Sequence, residues 1–353
     1  MAGKTRGNKI FALLISLCIS LLIGGLIFSL CGYSPVSAYA AIFSGGLGGS
    51  TAVISSLAQA MPIAFMGLAY IISMRVGLCN IGLEGQMYVG ALAAVLVGVY
   101  VPGIPAVIHI PMILIIAIAA SGLYGALIAV LKIRFGANEI ITAIMLNFIM
   151  EYFTSYLVNG PLKVEGTVAQ SERVKDSAIL PNLVDTPQLS SGILIFAALT
   201  FLIYFVVKYT KFGFEIRVTG ENPLAAQTGG IYADRIMTGA MFISGAIAGL
   251  AGAVMIIGVN GRFIDGFSSG YGWDGIAVAS LAGLNIIANI FSAMLFGVLK
   301  AGAMVVSRTA SIPYDFIVVI QAVIVLLLGC PRLSGELQDR LRRLFVRKEK
   351  RNE

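Results

Sequence analysis

The chain has 353 residues, 58% of them hydrophobic and only 12% charged, and its mean hydropathy is +0.93. Soluble domains carry about 25% charged residues, so a soluble globular fold is excluded and a polytopic membrane protein is expected. The net charge of +7 does not point to nucleic acid, because the basic residues gather at the chain ends and in short connecting segments.

In chain order, Lys4, Arg6 and Lys9 precede an apolar stretch, Ile10–Leu30. That stretch exceeds the roughly 7–15 residues of a signal-peptide core, so it reads as an uncleaved first span. Segments of about 20 apolar residues then predict an all-α protein of about ten transmembrane helices, near 10–31, 52–73, 84–101, 111–131, 139–158, 191–208, 236–258, 273–290, 291–307 and 313–330. Only Asn285 and Asn289 mark the boundary between the eighth and ninth, so a re-entrant pair fits equally well. An even number puts both termini on one side. The basic flanks, including Arg332, Arg340, Arg342 and Arg343 after the last span, place that side in the cytoplasm. The organisation expected is a cytoplasmic N-terminal tail (1–9), a transmembrane domain (10–330) and a basic cytoplasmic C-terminal tail (331–353). The largest outer loop, about 159–190, sets Lys163, Arg173 and Lys175 against Glu165, Glu172, Asp176 and Asp185. With Pro161, Pro181 and Pro187 it reads as an ordered external cap or docking surface.

Between two of these spans lies a polar, helix-forming island, Arg217–Arg235. Asn222 suits an N-cap with Pro223 at the first helical position, and Gly229-Gly230 suits a C-terminal stop. A short rigid helix there has the shape of a handle on which a soluble motor can push.

Several polar residues stand at membrane depth. In RVGLCNIGLEGQ (75–86), Gly77, Gly82 and Gly85 interrupt a helix and bring Asn80, Glu84 and Gln86 toward the membrane. Broken helices are tolerated there when they line a cavity or are buried in protein. The segment reads either as a gate or as a loop whose Glu84 favours the start of the third helix. Asn147 and Glu151, four apart, share a face with Ala143 and form either a path-lining stripe or an interhelical hydrogen bond. Trp273, the single tryptophan, stands in GRFIDGFSSGYGWDG (261–275) as a belt residue or as a stacking surface at the outer mouth. Lys300 is expected to face the bundle interior or to snorkel, and His109, between Pro105 and Pro111, reads as an outer-loop residue. Small residues at Ser244, Gly245, Ala246, Gly249, Gly252 and Ala253 predict close helix packing. Cys18, Cys31, Cys79 and Cys330 show no paired spacing, so neither disulfide nor metal is expected. No hydrolytic or metal motif stands in the chain, and Gly3-Lys4-Thr5 lacks the glycine that a P-loop requires. No enzyme activity, ATPase site or cofactor is expected.

The segments VGLCNIGLEGQMYVGA (76–91), ANEIITAIMLNF (137–148), TGENPLAAQTGGI (219–231), SGAIAGLAGA (244–253) and WDGIAVASLAG (273–283) resemble the ABC-transporter permeases of the simple-sugar and branched-chain amino-acid superfamily. They look most like the larger permease of bacterial nucleoside importers. The resemblance covers most of the chain and implies the type II importer fold in a bacterial plasma membrane. It implies ABC ATPase subunits, a second and different permease, and an extracytoplasmic binding lipoprotein as partners, besides membrane lipid. It places the ATPase-coupling helix at about 218–231, on Gly220, Glu221, Asn222, Pro223, Ala225, Ala226 and Gly229. Two departures stand out: Cys79 replaces a bulkier apolar residue, and Asn285-Ile286-Ile287 replaces an Asn/His-Pro turn.

The expected function is nucleoside uptake by alternating access, driven by ATP hydrolysis on the partner subunits. An uncharged polar substrate calls for hydrogen-bonding groups along its path, here Asn80, Gln86 and Asn147, beside Glu84, Glu151 and Trp273. A ribose-type sugar permease is the alternative. An ion-coupled carrier using Glu84, Glu139 or Glu151 as a relay is a third reading.

Overall fold

Apolar segments without water must satisfy their own backbone groups, and in single-chain segments only helices do so. The computed structural model describes residues 22–26, 28–30, 32–101, 103–309, 318–319 and 322. Its helices are α1 (Pro35–Leu47), α2 (Ser50–Arg75), α3 (Leu83–Tyr100), α4 (Ala106–Phe135), α5 (Glu139–Asn159), α6 (Gly192–Tyr209), α7 (Lys211–Glu221), α8 (Pro223–Thr228), α9 (Ala233–Met255), α10 (Tyr271–Leu281) and α11 (Ile286–Thr309). Among the described residues seven are long and apolar enough to cross a membrane: α2 to α6, α9 with its extension to Asn260, and α11. Most of the expected first span, the tenth span and both basic tails lie outside the described residues.

The eighth expected span, 273–290, is not one helix. Its first part is α10, whose 11 residues extend only about 16 Å, roughly half the hydrocarbon thickness. Gly283 and Leu284 then both take φ +59°, and the Asn285 side chain caps α11 by accepting from Ile287 N (2.9 Å) and Ala288 N (3.1 Å). The second part of the expected span therefore opens α11.

The chain forms two compact units, Met1–Ser56 with Val298–Glu353, and Leu57–Gly297. In the first, Phe28, Ala38, Ile42, Ala303 and Val306 make a buried cluster, and Ser56 Oγ donates to Gly46 O at 2.7 Å. Lys300 is buried in this unit, 3% exposed.

The second unit is organised around α9, which packs chiefly against α3 and α4. Its small residues make this possible. A Cβ on Gly249 would strike the Ser121 side chain, and one on Gly252 would strike the Met87 carbonyl. Without side chains at these points the backbones touch, as the spacing of small residues predicts. α9 ends in a π-helical turn, Ile256–Asn260, closed by Gly261.

The 159–190 segment is ordered. It contains a 3-10 turn at Asp176–Ala178 and an antiparallel hairpin, Asn182–Asp185 with Gln188–Ser190. It is tied to the segment after α9 by Ser171 N to Phe263 O (2.9 Å), Val174 N to Gly261 O (2.9 Å) and Leu180 N to Ile257 O (2.8 Å). His109 is no loop residue. It lies in the first turns of α4, fully buried, with Nδ1 2.9 Å from Ser177 Oγ and Nε2 3.3 Å from Val97 O. Of the two prolines that suggested a loop, Pro105 is the N-cap of α4, where a missing N–H costs little, and Pro111 lies inside the helix, in its second turn.

Candidate functional site

Between α2 and α3 the chain leaves the helix for seven residues, Val76–Gly82. Gly77 takes φ +81°, which other residues adopt only with strain. Gly85, by contrast, is helical. It is glycine because a side chain there would collide with Asn147.

The break is held by a buried polar network. Asn80 Oδ1 accepts from Gly82 N (3.0 Å) and from Gln86 Nε2 (3.1 Å). Its Nδ2 donates to Gln86 Oε1 (2.9 Å) and to Ser244 Oγ on α9 (2.8 Å). Ser244 in turn donates to Ala69 O on α2 at 2.8 Å, and Ser121 Oγ on α4 donates to Gln86 O at 2.9 Å. Across the network, Asn147 on α5 accepts from Gly85 N and donates to Ile81 O, both at 2.8 Å. Asn80, Gln86 and Asn147 thus come together, and each bonds partners within the protein. Ser244 and Ser121 complete the set; in the sequence Ser244 reads only as a packing residue and Ser121 does not stand out.

Glu84 is 8% exposed and forms a second node. Its Oε1 accepts from the Ser268 hydroxyl, and its Oε2 accepts from Gly272 N at 2.5 Å. Gly272 lies in the first turn of α10, where the helix dipole favours a carboxylate. A side chain on Gly272 would collide with Glu84, so this glycine permits the contact. Glu84 therefore joins α3 to α10. Beside it, Tyr88, Phe263 and Phe267 form an aromatic cluster with centroids 5.1–6.1 Å apart.

Two of the path residues stand apart from the network. Glu151 lies one turn beyond Asn147 but is exposed, at the edge of the buried stripe of α5. Trp273 projects from α10 with 51% of its surface exposed. Among the described residues no group of three His, Cys, Asp or Glu is arranged to hold a metal.

The polar island forms α7 and α8. Asn222 caps α8, its Oδ1 accepting from Leu224 N (3.0 Å) and Ala225 N (3.1 Å), with Pro223 at the first position. Gly230, at φ +82°, ends it: Gly230 N donates to Gln227 O and Ile231 N to Ala226 O, both at 3.0 Å, a Schellman closure. Glu221, Asn222, Pro223, Ala225 and Gly229 are exposed, while Ala226 is buried. Gly220 sits directly on the backbone of Arg75 and Val76, where any side chain would collide with the Arg75 carbonyl. The C-terminal end of α7, from which α8 follows, is thereby seated on the root of the α2–α3 break. Arg75 Nη2 continues from that root to Leu284 O, in the turn before α11, at 3.3 Å.

The sequence matches the model of a family described as branched-chain amino acid transport system / permease component, over residues 52–328. It is 36% identical to the guanosine ABC transporter permease protein NupP of Bacillus subtilis, over 91% of this chain and 93% of that protein. With the nucleoside ABC transporter permease protein NupB of Lactococcus lactis it shares 32% identity, covering 92% and 91% of the two chains. The glucose ABC transporter permease protein TsgB13 of Haloferax volcanii is likewise 32% identical, over 88% of this chain and 84% of that one. No solved structure matches.

Proposed function

The chain belongs to the family described as branched-chain amino acid transport system / permease component, and we propose from that premise that it carries nucleosides inward as one subunit of an ABC importer. The observation that carries the substrate is the match to two relatives named for guanosine and for nucleosides, each along nine-tenths or more of its length. ATP hydrolysis belongs to partner subunits in this reading. A second, different permease completes the path, and an extracytoplasmic binding lipoprotein delivers the substrate.

In this reading about ten helices cross the membrane with both termini in the cytoplasm. Basic residues at one end of α4 (Lys132, Arg134), α6 (Lys208) and α9 (Arg235), and on α7 (Lys211, Arg217), support that orientation. α7 and α8 then face the ATPase, and the 159–190 segment faces the binding protein. Closure of the ATPases displaces α8, and Gly220 transmits the displacement to Arg75 and Val76. The hydrogen-bonded break moves as a body with α3 and α5. Asn80, Glu84, Gln86, Asn147, Glu151 and Trp273 line or brace the path.

The test is uptake of labelled nucleoside by cells with and without this chain, the other components unchanged. Uptake that requires the chain and ignores excess sugar supports the reading. A sugar permease is the second reading, favoured by the 32% identity to a glucose permease. Nucleoside uptake abolished by sugar, or sugar uptake alone, selects it.

A further inference from the structure

Helix α5 presents three different strips. Ala143, Asn147, Met150, Thr154 and Val158 are buried. On one flank Ile149 and Phe153 are exposed and apolar, as a lipid-facing surface is. The opposite flank differs. Over the C-terminal half, Glu151, Ser155, Phe148, Asn159 and Tyr152 fall within about 100° of one another at 3.6 residues per turn.

Glu151 stands about 18 Å along the helix from Glu139 and about 12 Å from Asn159, at 1.5 Å per residue. A carboxylate exposed at that depth is incompatible with acyl chains, so this flank faces water or protein. The aromatic pair beside it is arranged as a ladder. Phe148 and Tyr152 stack with centroids 6.3 Å apart and planes 21° apart, and they remain 46% and 69% exposed. At the end of the strip, Asp265 Oδ2 accepts from Ser155 Oγ (3.0 Å) and Asn159 Nδ2 (2.9 Å), which fixes an exposed carboxylate above the ladder.

We infer that this flank of α5 is the substrate-recognising wall of the path, stacking a flat heteroaromatic base on Phe148 and Tyr152 and accepting sugar hydroxyls at Glu151 and Asp265. The inference rests on the nucleoside reading and deepens it. Aromatic faces stack on any base, since every base has a π-face, so the ladder tolerates all of them. Two carboxylates and no cation on the strip suit hydroxyl donors and repel phosphate. The wall therefore selects nucleosides over nucleotides and over sugars that lack a base.

The experiment uses the complete transporter in proteoliposomes, with its ATPase, partner permease and binding protein. Phe148→Leu and Tyr152→Leu keep apolar bulk and remove the ring. Each is expected to lower ATP-driven uptake at subsaturating nucleoside by about tenfold, the scale of one lost stack. Phe153→Leu, on the apolar flank, is expected to match the unmutated chain. In parallel, Tyr152→Cys is labelled with a membrane-impermeant maleimide, and nucleoside, but neither nucleoside monophosphate nor ribose, is expected to slow the labelling. Wild-type nucleoside uptake with unchanged rates in both leucine variants overturns the wall and leaves the nucleoside reading standing. So does a Tyr152→Cys crosslink to the second permease that nucleoside does not protect. A wild-type transporter that imports no nucleoside removes both.

Discussion

Asn147 shows how a single amide holds a membrane helix in place. Its oxygen and nitrogen serve Gly85 N and Ile81 O, two backbone groups that the break leaves outside the regular helical ladder. Replacement by leucine orphans both in an apolar setting, at about 1–3 kcal/mol each. The Asn147→Leu protein is expected to insert but to melt several degrees lower in detergent, as followed by thermal shift. An unchanged melting temperature would show the two bonds to be dispensable. The residue types of this network were legible in the sequence, since Asn80, Glu84, Gln86 and Asn147 stand out in apolar surroundings. Their pairings were not, because Ser244 and Ser121 are more than 30 positions away from the residues they bond. A hydroxyl in a run of small residues reads the same whether it packs or bonds. Glu84 was similar: its partners, Ser268 and Gly272, lie in a segment read from its aromatics as a membrane belt or a stacking surface at the outer mouth.

Among the elements, the long helices followed from hydropathy because each carries its own span of apolar residues. α10 did not, because 273–290 is mostly apolar despite Asp274, Asn285 and Asn289, and the interruption is conformational. Two consecutive positive φ values and an Asn cap leave only a weak mark in composition, although Asn285 is a cap type and was the available signal. His109 was misplaced for a related reason, as two prolines near a helix start resemble a loop. The packing of α9 is where small residues have their largest effect. Gly252→Val would press side-chain atoms onto the Met87 carbonyl and the Ala91 amide, separating α9 from α3. Overpacking of this kind costs about 1–3 kcal/mol, more where backbone must yield. The variant is expected to give a markedly smaller monodisperse peak in size-exclusion chromatography, while Gly230→Ala, at an open turn, should affect α8 alone.

At the level of the whole molecule, the coupling proposed above divides the permease into an exposed surface that addresses the motor and a half-buried one that transmits its stroke. Glu221 belongs to the first. It is exposed at the end of α7, beside the cap of α8, and makes no salt bridge among the described residues. Glu221→Arg is expected to leave membrane insertion intact and to reduce co-purification of the ATPase and ATP-driven uptake together. Normal values of both would remove α8 from the coupling path.

Gly220 belongs to the second surface, and its contact has a particular character. Backbone meets backbone there, with no side chain from either segment between them. A joint of that kind is blind to amino-acid identity, provided that one position stays glycine. In the proposed coupling, recognition of the motor then falls to the exposed side chains of α8. Delivery of the stroke, in that coupling, needs no such vocabulary: it asks only for a mechanical seat, the same whatever cargo the path carries.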